Sequence, residues 1–324
     1  MKKLFTVLLT MAMMLSFVAC KDQNTPPDDS IIDVNLEILI EQDDSMINTY
    51  SLLAVNDAAP FEDADGNPVS DVALNTQGAD ALINWLLSEE GKEFAANFGY
   101  DEYGQYLFYL LDDGASSDAE IPQATEETKL IRMSTTTSVN DSGLLGYLIP
   151  KFEEAYGYKV EIFSAGTGKA IANAKCGNAD LILVHAKAQE EDFIKAGFAR
   201  TLEGQNAERL SYMYNYFVLC GPPDDPVGVK GMSVTDAFAA IAEQGAKFVS
   251  RGDGSGTHTK ELSLWPQQLG ISEDPTSFAD YDWYISSNAG MGACLLQASE
   301  QGAYILSDKA TFLTFVANGG KVES

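Results

Sequence analysis

An α/β fold, a parallel sheet covered by helices, is what this sequence predicts, and three observations predict it. From Thr128 onward, short β-rich runs alternate with stretches whose apolar residues recur at helical spacing. Repeated strand–helix units of this length imply parallel strands with helices on their faces. Hydrophobic residues make up 45% of the 324 residues, enough to bury a large core. That excludes a disordered acidic chain, although 48 Asp+Glu against 20 Lys+Arg give a formal charge of −28.

The elements follow in chain order. Leu36 to Ile40 and Ser51 to Val55 read as strands, and Pro60 to Ser70 as a polar acidic loop. Gly78 to Leu87 is a helix, followed by a second one capped by Ser88 and running to Phe98. Asp112 to Glu127 (DDGASSDAEIPQATEE) is polar and linker-like. Lys129 to Met133 is a strand, and Leu144, Leu145, Leu148, Ile149 and Phe152 share one helical face. Lys159 to Phe163 is a strand, Ile171 to Lys175 a helix, and Leu181 to Val184 a buried strand. Tyr212 to Leu219 is a strand and a crossing between domains. Ala237, Phe238 and Ile241 mark a helix, Phe248 and Val249 a strand end, and Glu261 to Leu269 a helix. Trp283 to Ile285, Ala293 to Ser299 and Tyr304 to Leu306 complete the alternation as strand, helix and strand. No internal repeat is found.

Lys2 and Lys3 before an apolar run from Leu4 to Ala19 describe an export signal over 1–19. Cys20, directly after Ala19, resembles the lipidated cysteine of a bacterial lipoprotein box, with Phe17 departing from that pattern; an ordinary cleaved signal is the alternative. Residues 20–30 then form a solvated tether. The expected location is the outer face of the cell membrane. No other run approaches the ~18 apolar residues of a membrane span. Cys176, Cys220 and Cys294 match no metal spacing and read as small buried residues, with one bridge possible in an oxidising exterior. The acidity argues against nucleic acid as a partner. By the same reasoning it would argue against any anionic ligand.

Three motifs contradict that inference. Each ends a strand in small hydroxyl or glycine residues and opens a helix: Ser134-Thr135-Thr136-Thr137-Ser138, Ala165-Gly166-Thr167-Gly168-Lys169, and Ser250-Arg251-Gly252-Asp253-Gly254-Ser255-Gly256-Thr257-His258. In open parallel sheets ligands bind at the carboxyl ends of strands, where free helix N–H groups favour an anion. Hydroxyls add donors, glycine admits the backbone, and Arg251 offers a two-pronged contact to an oxyanion. Thr136 to Ser138 reads equally as a strand end with a helix cap. The 163–170 stretch is no nucleotide P-loop, because Phe163 stands where its first glycine belongs and Ala170 where its Ser/Thr belongs. The glycines from 252 to 256 fit neither the dinucleotide spacing nor a nucleophile elbow. Arg251-Gly252-Asp253 spells an adhesion tripeptide, and Ser255 with His258 a hydrolase pair lacking a third orienting group. His185, after a buried strand, reads as a packed core residue; His258 either donates to the anion or caps the helix.

Taken together, these segments resemble the tungstate-binding proteins of bacterial tungstate ABC importers. The matching stretches are 134–171 (STTTSVNDSGLLGYLIPKFEEAYGYKVEIFSAGTGKAI), GNADLILVHA, MYNYFVLCGPPDDPVGVKG, FVSRGDGSGTHTKELSLW, NAGMGACL and GAYILSDKATFL, covering most of 129–315. The Arg251 to Thr257 arrangement is also similar to phosphate-binding proteins. The resemblance implies a two-domain, type II periplasmic-binding-protein fold with a cleft between α/β domains. It implies an extracytoplasmic, monomeric, non-enzymatic protein without cofactor or metal, working with a membrane permease. Tungstate is the implied ligand, with molybdate or phosphate as alternatives. Thr136, Thr137, Ser138, Thr167 and Gly168 would supply donors from one domain, and Arg251, Ser255, Gly256 and Thr257 from the other. Asp253 would orient Arg251 or cap the helix.

In that family the Thr-Thr-Thr-Ser segment lies near the mature N-terminus. Here about a hundred residues precede it, and LEILIEQDDSMINTYSLLAVN (36–56) resembles the family's C-terminal portion. The chain thus resembles a circular permutant, with the usual termini joined through 112–127. The expected first domain is 46–213 and the second 31–45 plus 220–324, with crossings near Met46 to Ser51 and Tyr214 to Gly221. Leu36 to Ile40 should then share a sheet with the strands near 248 and 284.

Overall fold

The computed structural model describes residues 34–320. The export segment 1–19, Cys20 and the tether 20–30 lie outside the described residues. Eleven strands are found among those described: β1 (Glu37–Ile40), β2 (Ile47–Val55), β3 (Tyr109–Leu110), β4 (Leu130–Thr136), β5 (Lys159–Ala165), β6 (Leu181–Val184), β7 (Ala199–Arg200), β8 (Leu210–Gly221), β9 (Phe248–Ser250), β10 (Tyr284–Ser286) and β11 (Tyr304–Asp308). They join in the order β10-β9-β11-β8-β2-β6-β4-β5.

The two ends of this sheet are parallel and its middle is antiparallel. β4 pairs in parallel with β5 and β6 in the first half, as β9 does with β10 and β11 in the second. β2 and β8 run antiparallel between them, with Ile47 opposite Tyr216 and Leu52 opposite Leu210. They run through the stretches, Met46 to Ser51 and Tyr214 to Gly221, where crossings between domains are expected. β6 is a short apolar run because both its faces are covered: every one of its residues is buried. Trp85, Phe152 and Tyr158 fill the core of the first half, and Phe238, Phe248 and Trp265 that of the second.

β1 pairs antiparallel with β8, Glu37 opposite Gly221, on the stretch of β8 that also carries β11. Leu36 to Ile40 therefore sits in the half that holds β9 and β10, as the permuted order requires, and not beside β4. The stretch 112–127 packs along the first half, where Ala115 N–H donates to Ser211 and Ser117 N–H to Leu87.

Two readings need correction. The helix expected over Glu261 to Leu269 is Gly256–Leu264, followed by a 3-10 turn at Gln267–Leu269. Pro266 has no N–H and forces the preceding residue out of helical geometry, so apolar spacing alone extended the helix across a break. The helix expected from Ile171 begins at Thr167, inside the glycine motif. The last described helix, Lys309–Ala317, also spans both halves. Its Ala310 lies in the core of the first half, its Phe312 and Phe315 in that of the second, and Leu313 touches both. Cys176, Cys220 and Cys294 are free thiols.

Candidate functional site

The three motifs close β4, β5 and β9 at their carboxyl ends. Helix Thr137–Asp141 and helix Thr167–Lys175 both start without a side-chain cap, which leaves their first amides available. The third helix, Gly256–Leu264, is capped by Ser255, whose hydroxyl accepts the His258 N–H at 3.3 Å. That bond uses a lone pair and leaves the hydroxyl proton free to donate.

Tertiary structure brings the motifs together across the two halves. Arg251 Nη1 donates to Thr137 Oγ1 at 3.2 Å. A β-carbon on Gly166 would lie 3.4 Å from that of Ser255, and one on Gly168 would lie 4.0 Å from the Gly254 carbonyl. Thr136, Ser138, Thr167, Arg251, Ser255, Gly256 and Thr257 are all buried. Arg251 is 4% exposed, its Nη2 bonded to Asp253 Oδ2 at 2.6 Å and its Nε without a partner. Thr167 Oγ1 is likewise buried and unpartnered. Buried donors without acceptors are costly, and these two belong to motifs that meet across the halves, Thr167 opening an uncapped helix.

The competing readings of single motifs gain no support from this geometry. A buried Arg251 cannot serve as an adhesion tripeptide. The bond found between Ser255 and His258 runs from the His258 amide to the serine oxygen. Nδ1 of His258 accepts the Gly254 N–H at 3.0 Å, which places the neutral ring's proton on Nε2. His258 thus braces its own loop. Both Asp253 oxygens are engaged, Oδ2 by Arg251 and Oδ1 by the Ser255 N–H at 3.1 Å.

His185, read from sequence as core, touches three of the candidate site residues, Thr136, Ser138 and Gly256. Its Nε2 lies 3.0 Å from Thr136 Oγ1 and 3.4 Å from Ser138 Oγ, and its Nδ1 has no partner. Burial, and then the charge of Arg251, lower its pKa to about 3, so the ring is neutral. It also packs against Gly256 so closely that a β-carbon there would fall 2.3 Å from Cε1. Only glycine fits at that position.

Below Ser138 lies a closed polar ring that the sequence analysis missed. Asn48 Nδ2 donates to the Tyr50 hydroxyl and to Asn215 Oδ1, both at 3.0 Å. Tyr50 donates its proton to Asp308 Oδ2 at 3.1 Å, and Asn215 Nδ2 donates to the same oxygen. Asp308 Oδ1 accepts the Thr311 N–H and caps the last helix. Since Tyr50 has spent its proton on Asp308, the 3.0 Å contact between Tyr50 and Ser138 requires Ser138 to donate. Ser138 is therefore left with its amide, and not its hydroxyl proton, to offer elsewhere. The available signal was a pair of asparagines, at 48 and 215, inside otherwise apolar strands.

Glu261 supports the Arg251 loop from beneath. It accepts from Ser250 Oγ, from Trp265 Nε1 at 2.7 Å and from the Tyr284 hydroxyl at 2.8 Å. Ser250 Oγ in turn accepts the Gly252 N–H at 3.2 Å. Burial outweighs the three donors and raises the Glu261 pKa from 4.5 to about 7. Between those values the unfolded chain has lost this proton and the folded chain has not. Its contribution to stability therefore falls as pH rises through that window, by about 3 kcal/mol in all. Urea melts from pH 4 to 8 should show Glu261→Gln gaining on the wild type by that amount. A pH-independent difference would mean the carboxylate stays ionised in the fold.

The model of the PBP superfamily domain matches residues 122–324, more than half of the chain. The chain belongs to that superfamily. The tungstate-binding protein TupA of Peptoclostridium acidaminophilum is 41% identical over 208 residues, which is 63% of this chain and 68% of that protein. The tungstate-binding protein TupA of Campylobacter jejuni is 34% identical over 181 residues, 56% and 62% of the two chains. The solved structure of the tungstate ABC transporter from Geobacter sulfurreducens is 39% identical over 58% of this chain and 75% of that one, with a TM-score of 0.49. Alignments to the curated relatives span between 59% and 68% of their lengths. The sequence resemblance to tungstate-binding proteins is thus met by independent comparison.

Proposed function

We propose that this protein is the extracytoplasmic binding protein of an ABC importer and that it captures a tetrahedral oxyanion, tungstate before others. One observation carries the reading: nearly buried Arg251 from one half meets Thr137 from the other, beside buried donors that lack acceptors. Thr136, Thr137, Thr167 and Ser255 contribute hydroxyls, Ser138, Gly168, Gly256 and Thr257 contribute amides, and Arg251 contributes the charge. Each hydrogen bond to a charged group is worth ~1.5–3 kcal/mol, so six or seven offset the desolvation of a small dianion. The two halves close on the ion and exclude water. No step of this function needs a cofactor, a metal or a catalytic residue.

Phosphate at neutral pH carries a proton that must find an acceptor, and both oxygens of Asp253 are already engaged. That favours a fully deprotonated dianion. Charge and shape do not separate tungstate from molybdate; the names of the relatives favour tungstate. Titration calorimetry with tungstate, molybdate, sulfate and phosphate tests the reading. Tungstate should bind at least a hundredfold tighter than phosphate, about 2.7 kcal/mol; equal or reversed affinities would overturn it.

The division into a first domain at 46–213 and a second at 31–45 plus 220–324 is part of this proposal, supported by the sheet pairing of β1 with β8. So is the circular permutation, which the start of the family match at 122, within the 112–127 connection, supports. Export, lipid anchoring at Cys20, a monomeric state and a permease partner complete the picture. Among the described residues no helix is long and apolar enough to cross a membrane.

A further inference from the structure

A cavity of about 480 Å³ between the two halves is lined by His185 and Gly256, which also neighbour the Arg251 site. Its charged lining residues are Lys187, Arg209 and Lys260, with no acid among them. Acids outnumber bases 48 to 20 in this chain, and the cavity over 116–120 and 202–205 is lined by Asp80, Asp118, Glu120 and Glu203. An all-basic lining in such a protein calls for a cause.

Two of the three cations sit at some electrostatic cost. Lys187 opens helix Lys187–Lys195, where the helix dipole disfavours a positive charge. Lys260 is half-buried and forms no ion pair within 4 Å among the described residues; Asp43 is the acid that acts on it. Arg209 is held by Glu190 at 2.5 Å, and Lys187 faces Glu191 at 3.8 Å on the surface, a weak contact. None of these three acids lines the cavity. Among its remaining polar lining, Thr49, Gln189 and Thr259 carry side-chain donors for an anion. His185 and Gly256, in close contact with each other, line this chamber, and His185 also touches the primary donors Thr136 and Ser138.

We propose that this chamber is a second, weaker anion site, where a small dianion docks before the halves close and it passes His185 to reach Arg251. The inference rests on the oxyanion reading above. Clefts lined by one sign of charge focus field lines and raise on-rates. A local positive field would thus offset the −28 of the whole chain.

Stopped-flow association with tungstate, from ~10 to ~200 mM salt, tests this against the Debye length. The wild-type association rate should fall as salt rises. The Lys187→Gln/Lys260→Gln double variant should associate about fivefold more slowly at low salt, with a flatter salt dependence and an unchanged dissociation rate. A wild-type rate that rises with salt, or a double variant with wild-type rate and slope, overturns the chamber. Calorimetry on the wild type separates the two ideas. Tight tungstate binding with either of those kinetic results sinks only the chamber, whereas absent tungstate binding sinks the oxyanion reading and the chamber with it. Unchanged thermal melting of the double variant verifies the fold, since both lysines reach solvent.

Discussion

Arg251→Ala is expected to weaken tungstate binding by at least tenfold, and by about a hundredfold if both prongs of the guanidinium contact the ion. Two charge-assisted hydrogen bonds at ~1.5–3 kcal/mol each set the scale, at ~1.4 kcal/mol per decade. The loss has a second source. Asp253 is held at 2.6 Å by Arg251, and removing the arginine turns an uncompensated carboxylate toward the anion. Arg251→Lys should recover part of the affinity, because lysine restores the charge without the planar fork. Calorimetry at fixed salt reads both variants. Unchanged affinity in Arg251→Ala would remove this residue from the site and leave the convergence of the three motifs without its central charge.

Asp308→Asn should cost the protein about 3 kcal/mol of stability. Its carboxylate takes donors from Tyr50, from Asn215 and from the Thr311 amide, and it caps the helix that touches both halves. Asparagine keeps the shape but turns an NH₂ toward a donor on one side or the other. Asparagine caps a helix about as well as aspartate, so its oxygen stays with the Thr311 N–H and its NH₂ faces Tyr50 and Asn215; each buried donor left without an acceptor costs ~1–3 kcal/mol. Chemical unfolding measures the sum directly. A loss below ~0.5 kcal/mol, the scale of an ordinary surface substitution, would show that the ring is dispensable for the crossing strands. Tungstate affinity in the same variant reports separately on Ser138, whose hydroxyl hangs from Tyr50 at 3.0 Å.

Most of the fold could be read locally. The helical face Leu144, Leu145, Leu148, Ile149 and Phe152 is buried at every position, Ser88 caps its helix by accepting the Gly91 N–H, and β6 spans the predicted residues. The motifs ending β4, β5 and β9 were legible for the same reason: hydroxyls and glycines at strand ends declare backbone geometry within a few residues. Reading failed where a local break competed with periodicity, at Pro266, and where chemistry depended on partners distant in sequence. His185 looked like core because it follows four buried apolar residues. Its neighbours Thr136, Ser138, Arg251 and Gly256 are 47 to 71 positions away, and no spacing rule reaches them. The Tyr50–Asp308 bond joins residues 258 apart.

The sequence by itself determined which groups can bind an anion and at which strand ends they stand. Residue type and local turn chemistry need nothing beyond a few neighbouring positions. Only the tertiary structure decided which of them face one another, that Ser138 has its hydroxyl proton drawn inward, and that Lys187, Arg209 and Lys260 line one cavity of an acidic chain. Net charge is a sum over the whole surface, whereas binding responds to the few charges within a Debye length, about 10 Å at moderate salt, and that distance exists only once the two halves have folded against each other.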